Sequence, residues 1–276
     1  MTSSFKIREI TSLDLPELQP YRTLRRPAEH MQHGIFVAEG EKVLRRLLRS
    51  DLTIVSMLLT RQWLDQISSE LNVSKQRNTI AYLADKRLLE TIVGYNLHQG
   101  IMAVAKVPME RSLEEILSEI PKPHLLVALD GLEHAENVGI VVRNCAAFSV
   151  HCIIVGETSS SPYLRRAVRN SMGAVFHLPV VHTKNLAEAL AFLHRQYATR
   201  IIAAHPHEKS SIRTVDLTGN LCIVFGNEGT GISKTILEKC TDRIAIPMMN
   251  ETDSLNVGSA SAVFLYEAGG QRFPQE

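Results

Sequence analysis

Long apolar runs are missing. No window of the 276-residue chain approaches the roughly 18 consecutive apolar residues of a membrane span. Met1 to Ile10 holds Lys6 and Arg8 but no apolar stretch of signal-peptide length. A soluble, cytoplasmic protein with no membrane partner is therefore expected. Cysteine is scarce too: Cys145, Cys152, Cys222 and Cys240 are the whole set, and none forms a close C-x-x-C pair. That spacing argues against a zinc site, and no metal is expected. The apolar or helical surroundings of all four read as small buried thiols. An excess of one sign of charge is missing as well, with a formal net charge of +1. This argues against a general nucleic-acid coat, although a local basic patch stays open because attraction to phosphate depends on clustering. No G-x-G-x-x-G with an acidic residue about 20 positions on follows Ile35 or Leu129, so a dinucleotide-dependent oxidoreductase is disfavoured. There is no internal repeat and no low-complexity tract.

What is present is globular: 45% hydrophobic and 21% charged residues, in a length that suits two modest domains. Residues 1–107 read as a small α/β unit. Phe36 to Gly40 leads into a helix over Glu41 to Ser50, with Val43, Leu44, Leu47 and Leu48 on one face and Arg45, Arg46 and Arg49 on the other. Thr53 to Leu59 and Thr79 to Leu83 are strand candidates, and Ile101 to Val107 is a closing apolar run. Trp63, Leu64, Ile67 and Leu71 mark a helix, and Asp85 is placed to cap another running to Val93. Residues 108–122 read as a linker, with Pro108, Pro121 and the adjoining Pro123 around one amphipathic stretch, Leu113 to Ile120. Residues 123–276 alternate more clearly. Strands are expected at Leu125–Leu129, Cys152–Val155, Ile201–Ala204, Leu221–Phe225 and Arg243–Ile246. Helices are expected at Gly139–Phe148, Tyr163–Asn170, Leu186–Tyr197, Lys234–Cys240 and Val257–Ala268. Continuous apolar strands alternating with helices predict an α/β fold with a parallel sheet covered on both faces.

Three segments carry chemistry. Asn137-Val138-Gly139-Ile140-Val141-Val142-Arg143 follows the strand ending near Asp130-Gly131, where open parallel sheets place their sites. Asn137 is expected to cap the helix, with Arg143 about one and a half turns on, near Asn137's side. Phe225-Gly226-Asn227-Glu228-Gly229-Thr230-Gly231-Ile232-Ser233 is a Gly-rich loop with a carboxylate. It offers backbone groups to a ligand, and it lacks the Lys of a Walker A loop. Ile246-Pro247-Met248 and then Ser254-Leu255-Asn256-Val257 precede an apolar helix, whose cap is Ser254 or Asn256. Taken singly, each segment also reads as an ordinary cap or turn.

Together they resemble the SpoU/TrmH family of RNA 2′-O-ribose methyltransferases. The shared patterns are N-x-G-x-x-x-R, F-G-N-E-G-x-G-I-S and I-P-M followed by S-L-N-V, in the same order and strand context. Arg169 to Ala174 also looks like the family's R-x-S-x-G-A segment, and the match covers about Leu125 to Glu267. Phe36 to Lys42 and His98-Gln99-Gly100 are similar to the ribosomal-protein-like substrate-binding domain that precedes the catalytic domain in part of this family. His134-Ala135 departs from the Asp-Pro that many members carry before the Asn.

The resemblance implies a SPOUT fold with a trefoil knot, and S-adenosyl-L-methionine as cofactor. Its cofactor loops map onto Ala203, Ala204 and His205, onto Phe225, Gly226, Asn227 and Gly229, onto Ile246, Pro247 and Met248, and onto Leu255. The apolar Ile246 and Leu255 would pack on the adenine. It gives Arg143 the central catalytic role, holding phosphate and stabilising the developing alkoxide, since an Arg stays protonated. Asn137 would orient the ribose or Arg143, Glu228 would pair with Arg143, and Ser254 and Asn256 would complete the hydrogen-bond frame. Structured RNA is the implied substrate, ribosomal RNA ahead of tRNA. A homodimer through the C-terminal domain, with the helix Val257 to Leu265 as contact, is also implied. A catalytically silent RNA-binding member would be expected to lose some of Asn137, Arg143, Glu228, Ser254 and Asn256, and all five are present. The first unit is expected to supply RNA affinity through Arg45, Arg46 and Arg49, with Arg22, Arg25 and Arg26 nearby.

Overall fold

The computed structural model describes residues 6–73, 79–93, 100–206, 208–249 and 253–273. The chain forms two compact units: Met1–Met109 with Tyr163–His177, and Glu110–Pro162 with Leu178–Glu276.

The first unit contains β1 (Lys6–Glu9), α1 (Gln19–Arg22), α2 (Pro27–Gln32), β2 (Ile35–Glu39), α3 (Glu41–Arg49), β3 (Ile54–Leu59), α4 (Arg61–Val73), β4 (Ile80–Leu83), α5 (Lys86–Val93) and β5 (Ile101–Lys106). Its sheet order is β1-β4-β3-β5-β2. β1, β4 and β3 pair in parallel, while β5 runs antiparallel to both β3 and β2. Asp85 does cap α5, its Oδ1 accepting from the Leu88 N–H at 2.7 Å. The sequence pattern passes over β1, whose four residues are all exposed, because a short charged edge strand lacks the apolar signal of a central one. His98 and Gln99 lie outside the described residues.

The second unit begins where a linker is expected. Ser112 and Glu115 form a reciprocal capping box that starts α6 (Leu113–Glu119). This helix buries Leu113, Ile116 and Leu117 in the unit's core. The unit continues through β6 (Leu125–Asp130), α7 (Ala135–Ala147) and β7 (Cys152–Val155). The chain then enters the first unit as α8 (Arg165–Asn170) and returns with β8 (Val180–His182) and α9 (Leu186–Tyr197). The remaining elements are β9 (Arg200–Ala204), β10 (Leu221–Gly226), α10 (Lys234–Leu237), β11 (Asp242–Ile244) and α11 (Val257–Arg272). The six strands run β11-β9-β10-β6-β7-β8, and every pairing is parallel. Alternate strand residues such as Leu126, Ile154, Ile201 and Val224 pack under α6, α9 and α10. Phe225 points to the opposite face, edge-on to Phe264 of α11 with ring centroids 5.9 Å apart. Cys145, Cys152 and Cys222 are buried free thiols, and burial pushes Cys152 up to about 12, where it stays protonated and apolar in character.

The excursion Tyr163–His177 is unforeseen by the sequence pattern. Phe36 of β2 stacks on Phe176 and tilts against Tyr163, each at 5.6 Å. The Arg165 guanidinium donates to Glu39 at 2.5 Å, and Arg169 approaches the same carboxylate at 3.8 Å. The segment Arg169 to Ala174 is therefore packed into the first unit, not the second.

Of the six arginines expected to supply a basic face in the first unit, five are engaged. Arg45 pairs with both Glu41 and Glu70, and Arg49 lies 3.6 Å from Glu70. Arg46 donates to the Met172 carbonyl at 2.6 Å. Arg22 pairs with Asp14 at 3.3 Å and Arg26 with Glu29 at 3.1 Å. Helical spacing places the cations on the solvent side correctly, but it is silent on the carboxylates that meet them there.

Candidate functional site

At the carboxyl ends of β9 and β10, and in the loop after β11, lies a cavity of about 570 Å³ closed by the first turns of α11. Such a position is expected, because a parallel sheet with helices on both faces leaves its crevice beyond the strand carboxyl ends. Ala204, His205, Phe225, Gly226, Asn227, Gly229, Ile246, Met248 and Leu255 line it, as do Glu228, Ser254 and Asn256.

Two residues assigned to the cofactor set do not line it. Ala203, the penultimate residue of β9, is fully buried in the core under α9, because side chains alternate along a strand and only its neighbour Ala204 reaches the cavity. Pro247 is exposed and does not line the cavity, although its neighbours Ile246 and Met248 do. Conversely, Val257, Ala260 and Phe264 line the cavity from α11. Their i, i+3, i+7 spacing is one helical face and was available in the sequence. Thr230, Gly231 and Ile232 extend the lining along the Gly-rich loop.

That loop is folded back into a cradle. Asn227 and Gly231 exchange backbone hydrogen bonds at 3.0 and 2.9 Å, folding the loop back on itself. The Asn227 Oδ1 accepts from the N–H groups of Gly229 and Thr230, and its Nδ2 donates to the Gly131 carbonyl at 2.8 Å. Gly226 admits the fold-back: a Cβ there would lie 2.4 Å from the Ile232 nitrogen and 2.5 Å from the Gly231 carbonyl carbon. The result is a wall of backbone donors and acceptors beside the rings of Phe225 and Phe264. A small ligand with one polar, planar group fits such a setting.

On the far side stands α7. It starts at Ala135, with His134 as its N-cap residue, so Asn137 lies within the first turn and is not the cap. Its freed side chain joins a directed chain of amides. Asn256 caps α11, its Oδ1 accepting from the Gly258 N–H at 2.8 Å. The Asn256 Nδ2 donates to the Asn137 Oδ1 at 3.4 Å, and the Asn137 Nδ2 donates to Glu228 at 2.6 Å. Three of the five expected catalytic residues are thus linked, one from each motif. Ser254 lines the cavity with Glu228 and Asn256 and is exposed.

Arg143 is placed differently from expectation. Six residues along a helix turn the side chain through about 600°, which leaves Arg143 about 120° off Asn137's face. It is exposed, does not line the cavity and forms no ion pair with Glu228 among the described residues. The residues that share Asn137's face are Ile140 and Asn144, at i+3 and i+7.

The comparisons agree on one class. The SpoU rRNA methylase family model matches residues 124–266. A model described as RNA 2′-O ribose methyltransferase substrate binding matches residues 37–110. The 23S rRNA (guanosine-2′-O-)-methyltransferase RlmB of Vibrio vulnificus is 36% identical over 209 residues, which is 75% of this chain and 81% of that protein. A crystal structure of an RNA 2′-O ribose methyltransferase, 26% identical, superposes with a TM-score of 0.77 over 96% of this chain and 99% of that one. The SpoU methyltransferase AviRb of Streptomyces viridochromogenes, solved with S-adenosylmethionine, is 22% identical and shares the fold, with a TM-score of 0.81 over 95% of this chain and 100% of that one.

Proposed function

The chain belongs to the SpoU rRNA methylase family and is an RNA (ribose-2′-O)-methyltransferase, and from that premise we propose that it methylates a guanosine 2′-hydroxyl of 23S ribosomal RNA with S-adenosylmethionine held in the cavity of the second unit. The observation that carries this reading is the amide chain Asn256–Asn137–Glu228, which ties the cavity wall to α7. The nature of the RNA rests on the likeness to the RlmB relatives.

The cavity suits the cofactor. Phe225, Ile246, Leu255 and Phe264 offer apolar surface to the adenine, and the backbone of the Gly226–Gly231 loop offers hydrogen bonds. When bound, the cofactor supplies a methyl group already activated as a sulfonium. The protein's task is then alignment and proton handling. Glu228, Asn137 and Asn256 form the polar frame that receives the ribose. Arg143, exposed and outside the frame, holds an RNA phosphate and steadies the charge that develops on the attacking oxygen. The first unit binds the RNA, in keeping with the family model it matches.

Three further features belong to the same proposal. The reading includes a trefoil knot in the region that follows the edge strand β11. A homodimer forms through the exposed side of α11. Val257, Phe264 and Leu265 are buried in their own unit, so the contact falls to Val263 and Tyr266, the latter edge-on to Phe148 at 6.1 Å. The enzyme acts in the cytoplasm, where its ribosomal substrate is made; no described helix is long and apolar enough to cross a membrane.

Calorimetry with S-adenosylmethionine and its demethylated product tests the cavity, and mapping of 2′-O-methyl sites in total RNA with and without the protein tests the reaction. Binding of a dinucleotide with no affinity for S-adenosylmethionine would end the reading. An unchanged ribosomal map with a changed tRNA map would redirect it to tRNA.

A further inference from the structure

α7 and α11 approach unusually closely. A Cβ on Gly258 would sit 2.6 Å from the Cγ2 of Ile140, so only glycine allows the helices to meet at this distance. At the contact, the Asn144 Nδ2 donates to the Gly258 carbonyl at 2.7 Å and to the Ser261 Oγ at 2.9 Å. The Ser261 hydroxyl, fully buried, donates in turn to the same Gly258 carbonyl at 2.8 Å. The Asn256 side chain holds the Gly258 N–H. One peptide segment at the start of α11 is therefore gripped on its N–H by Asn256 and on its carbonyl by Asn144.

We infer that Asn144 is a positioning residue for methyl transfer, clasping α7 to α11 so that the acceptor side of the site meets the cavity in fixed register. The inference rests on the proposed function. Asn144 reaches neither the cavity nor its lining. It stands two turns from Asn137 on the same helical face, and it is next in sequence to Arg143. The two sides of the site are thus joined twice, by Asn137 to Asn256 at the rim and by Asn144 to Gly258 behind it. The rim contact at 3.4 Å is the looser one. The tight double-donor contact at Asn144 sets the rotation and depth of α7, and with them the placement of Asn137 and Arg143. The cavity itself is built from the loops after β9, β10 and β11 together with α11, so it persists when the clasp opens.

The test is Asn144→Ala, Asn144→Asp and Ser261→Ala in the full chain. Each is measured for S-adenosylmethionine Kd, RNA KM, single-turnover rate at saturation and thermal midpoint. Misplacement of reacting groups by about 1 Å costs on the order of 100-fold in rate. Asn144→Ala is expected to lower the rate at least tenfold while Kd and KM stay within about threefold. Asn144→Asp, which turns an acceptor toward the Gly258 carbonyl, is expected to lower it further. Ser261→Ala, which leaves the Asn144-to-Gly258 bond, is expected to have the smallest effect. A rate within twofold of wild type for Asn144→Ala overturns the inference. A parallel loss of cofactor affinity and rate also overturns it, since that marks a general packing role. If Asn144→Ala does not fold, the ranking of Asn144→Asp below Ser261→Ala at matched folded fraction decides. A wild-type protein that transfers no methyl to RNA refutes the proposed function instead, and the clasp is not blamed for it.

Discussion

The arginines of α3 in the first unit and Arg143 of the second differ in how their charge is met. In the first, arginines that line one helical face are met by carboxylates: Arg45 by Glu41 and Glu70, Arg49 by Glu70, and Arg165 by Glu39. In the second, Arg143 is exposed with no ion-pair partner among the described residues, while Glu228, the carboxylate expected to brace it, is taken by Asn137. A count of basic residues is therefore a poor guide to available charge. Helix α3 carries Arg45 and Arg49 already paired, whereas the Arg143 guanidinium is exposed without such a pair among the described residues.

The sharpest way to break this contrast is Arg143→Ala. The loss of a single contact that stabilises developing charge costs roughly 10²–10³ in rate. Single-turnover methylation at saturating cofactor is expected to fall by that factor, with cofactor affinity nearly unchanged because Arg143 does not line the cavity. Arg143→Lys is expected to recover little, since a point charge does not replace a planar fork. Near wild-type turnover by the alanine variant would remove Arg143 from the mechanism.

Next comes the cradle. Gly226→Ala places a methyl 2.4 Å from the Ile232 nitrogen, and backbone there cannot yield without opening the Asn227–Gly231 fold-back. Cofactor affinity measured by calorimetry is expected to drop at least about tenfold, in line with the loss of one or two hydrogen bonds to the ligand. Unchanged affinity would mean that the loop does not hold the cofactor.

The second unit also excludes charge from its interior. His124 is buried at the start of β6, with Nε2 2.8 Å from the Thr199 Oγ1. Burial, and then His151, Lys122 and Arg272, hold its pKa at about 4, below the ordinary 6.5. The folded protein therefore refuses a proton that the unfolded chain accepts. Stability is full above pH 6.5 and falls as pH drops from there through about 4. Unfolding free energies from urea titrations at pH 7 and pH 5 are expected to differ by on the order of 1 kcal/mol more in wild type than in His124→Asn. An equal difference in both proteins would place the acid sensitivity elsewhere.

The smallest effect is predicted for the arginine cluster. The double variant Arg45→Ala, Arg49→Ala is expected to keep RNA affinity within about threefold, with the salt dependence of binding unchanged because no phosphate contact is lost. Its stability is expected to fall by about 1 kcal/mol. A tenfold loss of RNA affinity with a shallower salt slope would restore α3 as an RNA-contacting face and erase the contrast between the units.

Much of the molecule was legible residue by residue. Apolar runs such as Leu125–Asp130 and Leu221–Gly226 declare buried parallel strands, because a strand covered on both faces has no polar side to show. The Gly-rich loop declares itself through Gly226 and Asn227, whose conformation and amide are what the fold-back requires. Local chemistry of this kind acts within a few residues and leaves its mark in sequence. Three features do not. The excursion Tyr163–His177 is decided by Glu39 and Phe36, which lie 126 or more positions away in the chain. The neutralisation of Arg45 depends on Glu70, a residue of another helix. The rotation of α7 presents Asn137 and Asn144 to α11 and turns Arg143 outward, and it is set by the small residues Gly258 and Ser261. A helix carries its side chains at fixed angles to one another, but its orientation in space comes only from the partner against which it packs.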